Sequence, residues 1–113
     1  MIGEKIQKPW GYYIDHHRTP QLVCKTIYIT PGEKISYQKH HKRIEFWFIQ
    51  SGSGVFRLND NLTPVRQGNK IIIDKLELHQ IINDGQDLLI INEMQVGECS
   101  EDDIVRLEDP YNR

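Results

Sequence analysis

No stretch of this chain sustains the 3.6-residue apolar rhythm of a helix, whereas short runs rich in β-branched and aromatic residues recur between turn residues. QLVCKTIYIT (21–30) stops at Pro31-Gly32, IEFWFIQ (44–50) at Ser51-Gly52-Ser53-Gly54, and GVFRL (54–58) at Asn59-Asp60-Asn61. KIIID (70–74) and HQII (79–82) follow, and Asn83-Asp84-Gly85 leads into DLLIINEMQV (87–96). Gly, Asn, Asp and Pro fill the gaps because they supply the dihedrals and local hydrogen bonds that turns need. Seven or more short strands without intervening helices predict an all-β antiparallel sandwich or barrel. Only the tail, SEDDIVRLEDP (100–110), is expected to make a helical turn, with Ser100 before acidic residues resembling an N-cap. Strand 44–50 is apolar on both faces, Phe46 and Phe48 on one and Trp47 and Ile49 on the other, which predicts that a second sheet or a subunit covers each. A homodimer is the expected assembly.

At 113 residues the chain has room for one domain, taken as 1–113, and for one core. A formal charge of −2 carries no basic excess that would mark nucleic acid as a partner. No apolar run approaches the ~20 residues that cross a bilayer, so no membrane partner is expected. The start, MIGEKIQKPWG, lacks the apolar stretch of a secretion signal, and a cytoplasmic location is expected. In that setting Cys24 and Cys99, far apart in the chain, are expected to be reduced thiols.

Between two of these strands lies QKHHKRIEFW (38–47), which packs Gln38, His40, His41, Arg43 and Glu45 just before a buried run. Alternation places Gln38 and His40 on one face, and puts Glu45 on the face of Trp47 and Ile49, which is bound for the core. A buried carboxylate needs compensation. Arg43, solvent at an open barrel mouth, or a divalent cation shared with Gln38, His40 and a distant ligand would each provide it. His79, sharing a strand face with Ile81 and Asn83, is either that ligand or a satisfied core histidine.

Two blocks of spacing bear on the choice. Gly32, Gln38, His40, Glu45 and Gly52 form the first, and Gly68, His79 and Asn83 the second. They resemble the two-block signature of the cupin superfamily, with Gln38 in place of the first histidine and Asp74 and Leu76 where the second block usually has proline and glycine. KPWGYY (8–13), ITPGEKISYQKHHKRIEFWFIQSG (29–52) and SEDDIVRLEDPYNR (100–113) are similar to the C-terminal isomerase domain of type II mannose-6-phosphate isomerases, whose first ligand position carries glutamine. The fold this implies is a cupin barrel, also described as a double-stranded β-helix or jelly roll.

The resemblance implies a divalent metal held by Gln38, His40, Glu45 and His79. Two imidazoles, an amide oxygen and a carboxylate suit Zn²⁺ first, with Mn²⁺, Co²⁺, Ni²⁺ and Fe²⁺ also compatible. The implied reaction interconverts mannose 6-phosphate and fructose 6-phosphate, so the implied small-molecule partner is a sugar phosphate. For the base that moves the proton, Glu93, His41 and a metal-bound water all stand open. For the phosphate, Arg43 offers two donors, or it pairs with Glu45 instead. Arg106 corresponds by resemblance to an arginine implicated in turnover, or it forms a surface ion pair with Asp102, Asp103 or Glu108. Lys25 points either into the barrel as a substrate ligand or out to solvent. Trp10 and Tyr37 are expected to pack. A cupin enzyme of another class, such as a dioxygenase or a different sugar isomerase, and a non-catalytic sugar- or metal-binding module are the rival readings.

Overall fold

The computed structural model describes residues 1–111. Asn112 and Arg113, the end of the 100–113 resemblance, lie outside the described residues. Eleven strands run in chain order: β1 (Lys5–Lys8), β2 (Gly11–Arg18), β3 (Leu22–Ile29), β4 (Tyr37–Lys39), β5 (Arg43–Ser51), β6 (Ser53–Leu58), β7 (Asn61–Arg66), β8 (Lys70–Ile73), β9 (His79–Ile82), β10 (Leu89–Gly97) and β11 (Val105–Glu108). They form two sheets, ordered β1-β2-β3-β10-β5-β8 and β11-β4-β9-β6-β7, with every pairing antiparallel. Among the described residues there is no helix, and so none long and apolar enough to cross a membrane.

The chain passes from one sheet to the other at Gly52, the single residue between β5 and β6. Its φ of +87° lies in the left-handed region, and a Cβ there would stand 2.5 Å from the Leu88 carbonyl oxygen. Both facts require glycine. The other block glycines, Gly32 and Gly68, are also left-handed at +84° and +92°. Leu76, in a position where the second block usually has glycine, keeps the same backbone at φ +68°. Its side chain points largely to solvent, and its N–H donates to the His40 carbonyl at 2.8 Å. Asn83 closes the second block as a structural clamp: its Nδ2 donates to the Ile29 and Asp87 carbonyls, and its Oδ1 accepts from the Gly85 N–H.

The core between the sheets holds Trp10, Ile27, Ile29, Ile35, Trp47, Ile49, Phe56, Val65, Ile73, Ile81, Leu89 and Ile91. Burying each of the larger apolar side chains contributes about 1.5–3 kcal/mol. Successive inward residues change character along a strand. β5 runs Ile49, Trp47, Glu45, Arg43, and β10 runs Leu89, Ile91, Glu93, Gln95, all buried. β3 contributes Ile29, Ile27 and Lys25 in the same sense. One end of the interior is therefore apolar and the other carries ionisable groups.

The tail differs from the helical turn expected of it. Ser100 does cap a turn, its Oγ accepting from the Asp102 N–H and its carbonyl from the Asp103 N–H. The chain then extends, because Val105–Glu108 pairs with β4 and the Asp103 carboxylate is drawn to the backbone amides of His41 and Lys42.

Candidate metal centre

Three strands of two sheets bring the ionisable end together. Gln38 on β4 faces His79 on β9 in register, His40 follows β4, and Glu45 lies on β5. One donor atom each from His40, Glu45 and His79 lies within 4.8 Å of the others. His40 Nε2 is 3.2 Å from Glu45 Oε2, and His79 Nε2 is 3.8 Å from Glu45 Oε1. All three residues are buried.

The backbone sets both imidazole tautomers. His40 Nδ1 lies 2.6 Å from the Asp103 carbonyl and His79 Nδ1 lies 2.9 Å from the Glu77 carbonyl. A carbonyl only accepts, so each Nδ1 carries the proton and each Nε2 presents a lone pair inward. Burial lowers the His40 imidazole to about 4, with the Arg43 charge adding to the effect, and lowers that of His79 as well. Both rings are neutral at pH 7, the form that ligates metal. His79 Nε2 is buried with no hydrogen-bond partner. An orphaned lone pair costs about 1–3 kcal/mol, and this one converges with another imidazole and a carboxylate. The donor set fits a divalent cation. Gln38 is nearby but oriented otherwise. Its Oε1 accepts from Ser36 Oγ at 2.6 Å and its Nε2 faces His40 Nε2 at 3.4 Å, so a ligand role requires the amide to turn over.

Arg43 takes the ion-pair alternative. Its Nε donates to Glu45 Oε2 at 2.9 Å, Nη2 to His40 Nε2 at 3.2 Å and Nη1 to the Ser100 carbonyl at 3.2 Å. Trp47, read from sequence only as core, supplies a further polar link: its indole N–H is shared between Glu45 Oε1 at 3.1 Å and Glu93 Oε1 at 2.8 Å. Gln95 Nε2 donates to Glu93 Oε2 at 2.7 Å. Burial, then the neighbouring Glu45 charge, pushes the Glu93 acid up to about 7. Alternation from Glu93 would have placed Gln95 on this face. Trp47 carried no such signal, since its apolar body accounts for its burial.

Beside the cluster lies a cavity of about 110 Å³ whose walls include Gln38, His40, Arg43, Glu45, Glu93 and Lys25, with Arg106 exposed on β11. His79 is not on its wall. Lys25 points inward, buried, with Nζ 4.3 Å from the Tyr13 ring centre. Arg106 is in register with Gln38 and makes no ion pair among the described residues, because Asp103 is engaged by the 41–42 amides and Glu108 by Arg57. His41 is not brought into the site. It is exposed, with Nδ1 3.5 Å from Asp103 Oδ1. Trp10 and Tyr37 pack, the latter against the Arg57 guanidinium.

The family model described as "Mannose-6-phosphate isomerase C-terminal" matches residues 2–109. The alginate biosynthesis protein AlgA of Pseudomonas aeruginosa is 34% identical over 110 residues, covering 96% of this chain and 23% of that protein. The mannose-1-phosphate guanylyltransferase ManC of Salmonella typhimurium is 32% identical over 113 residues, covering 99% of this chain and 24% of that protein. The chain thus spans about a quarter of the curated relatives it matches. Among solved structures, a double-stranded β-helix protein from Klebsiella pneumoniae superposes with a TM-score of 0.77 at 19% identity, covering 95% of this chain and 87% of that one. A putative sugar phosphate isomerase from Acidithiobacillus ferrooxidans superposes with 0.70 at 22% identity, covering 85% and 68%. At these identities the structures speak for the double-stranded β-helix fold alone. The chain has the cupin-type double-stranded β-helix fold, and it belongs to the mannose-6-phosphate isomerase C-terminal family.

Proposed function

We propose that this domain is a metal-dependent sugar-phosphate isomerase that interconverts mannose 6-phosphate and fructose 6-phosphate. The observation that carries this reading is the partnerless Nε2 of His79, buried and converging on His40 and Glu45 beside a cavity whose wall holds Glu93. His40, Glu45 and His79 would hold the cation, joined by Gln38 with its amide turned, and Zn²⁺ fits the set first. A cation held there supplies Lewis-acid stabilisation of the negative charge that develops on adjacent sugar oxygens.

In the aldose-to-ketose direction a proton leaves C2 and returns at C1, while the C1 carbonyl becomes a hydroxyl and the C2 hydroxyl a carbonyl. Glu93, held at about 7, is the group suited to carry that proton, since it takes and gives it near neutral pH. Its hydrogen bonds from Trp47 and Gln95 fix the carboxylate in place. About 110 Å³ admits the reacting end of a sugar but is below the roughly 300 Å³ of a small-molecule pocket. The phosphate would therefore stay at the mouth, where Arg106 stands without an ion pair among the described residues. Lys25 would serve a hydroxyl or the phosphate from the wall. A cytoplasmic setting accords with two unpaired cysteines. The assembly we propose is a homodimer formed through the outer face of the β5–β10 sheet.

The test is a coupled assay on mannose 6-phosphate alongside other sugar phosphates, with elemental analysis of the same sample. Turnover that a chelator and His79→Ala both abolish is the expected result. Ligand-dependent thermal stabilisation without product would instead mark a binding module.

A further inference from the structure

We propose that Arg43 is a built-in competitor of the metal: its guanidinium and a divalent cation require the same lone pair of His40, so loading the centre displaces Arg43 from that nitrogen. The inference rests on the metal-dependent function above and concerns how its centre is filled. The valence of one atom carries it. The Nδ1–H of His40 is committed to the Asp103 carbonyl at 2.6 Å, which leaves a single in-plane lone pair on Nε2. Arg43 Nη2 donates into that pair at 3.2 Å, closer than the Gln38 Nε2 at 3.4 Å, which the turned amide of a ligating Gln38 would itself remove. A coordinate bond needs it too, and the two cannot coexist.

The rest of the guanidinium shows that this is a built contact. Nε on Glu45 and Nη1 on the Ser100 carbonyl fix the plane of the fork, and the side chain is 7% exposed. Glu45, at 1% exposed, receives from Arg43 the counter-charge a buried carboxylate requires. Arg43 thus does for His40 and Glu45 what a cation would do, but it does not reach His79, whose Nε2 stays unpartnered. A divalent ion satisfies all three and repels a guanidinium at this range. The fork that Arg43 then withdraws from His40 belongs to a residue that lines the cavity.

Zinc affinity is measured by competition with a chelating dye on metal-stripped wild type, Arg43→Gln and Arg43→Lys, and the same samples are melted with and without zinc. Arg43→Gln removes both the competing donor and the repelling charge, so it is expected to bind zinc at least tenfold more tightly than wild type. Its metal-free form should melt lower than wild type, and zinc should raise its melting temperature by more. Arg43→Lys keeps a charge for Glu45 but lacks the fork that reaches His40 as well, and should fall between the two. If Arg43→Gln folds only with zinc, Arg43→Lys against wild type decides alone. Equal or weaker zinc binding by the variants overturns the competition and leaves the centre standing. Zinc binding by none of the three proteins overturns both.

Discussion

Glu93 and His40 respond to pH in opposite senses. A carboxyl raised from 4.5 to about 7 costs stability as pH climbs through that interval, and an imidazole lowered from 6.5 to about 4 costs stability as pH falls through it. Each effect is on the order of 3 kcal/mol, so the two largely cancel across the shared window. His79 is shifted the same way as His40 and tips the balance towards acid lability. Glu93→Gln removes the opposing carboxyl. The metal-free variant should therefore lose melting temperature more steeply than wild type between pH 6.5 and 4, and parallel melting curves would refute the assignment. The same variant should lower kcat by about 10²–10⁴-fold if Glu93 carries the proton. At this scale the meeting of His40, Glu45 and His79 was suggested by the resemblance of the two spacing blocks to a known signature, and the structure brings one donor atom of each within 4.8 Å of the others. Asp103 was not. Its carbonyl orients His40 and its carboxylate pins the following two amides from 60 or so residues away, and nothing local marks such a partner.

Among the elements, the left-handed positions carry the sharpest expectations. Gly52→Ala puts a methyl against the Leu88 carbonyl at the crossing between sheets, and should cost more than about 2 kcal/mol. Leu76→Gly does the reverse. It relieves a left-handed leucine whose side chain is 54% exposed, and should stabilise by up to about 1 kcal/mol, since glycine's extra unfolded-state freedom offsets part of the gain. Thermal melting checks both, and a Leu76→Gly protein that melts lower would refute the strain. The apolar strands β3, β5, β9 and β10 were readable from their residues. β7 was missed because it is an edge strand, mostly exposed, with Pro64 within it. β11 was missed for a similar reason: all four residues are exposed, and only its pairing with β4 makes it a strand.

For the whole molecule, the outer face of the larger sheet is the feature that bears on assembly. Phe46, Phe48, Ile72, Met94 and Val96 are exposed on β5, β8 and β10, and Phe46, Phe48, Ile72 and Met94 line one shallow groove there. The sequence foresaw two apolar faces on β5, and the fold covers only the inner one. A standard stable interface takes about 800 Å² from each copy, so this patch would form the apolar centre of a larger contact. Sedimentation at micromolar concentration should show a dimer that Phe48→Glu dissociates without lowering the melting temperature of the monomer. A wild-type monomer at that concentration would refute it.

The graded interior has a consequence for how such a scaffold changes over time. Apart from the Asn83 clamp, the interior below the level of Trp47 is hydrocarbon and asks mainly for volume, so that half tolerates apolar exchanges that keep it filled. What reacts is decided by a handful of positions at the other half, each exchangeable without disturbing the floor beneath. A shape shared at 19% identity is what that division of labour would leave behind.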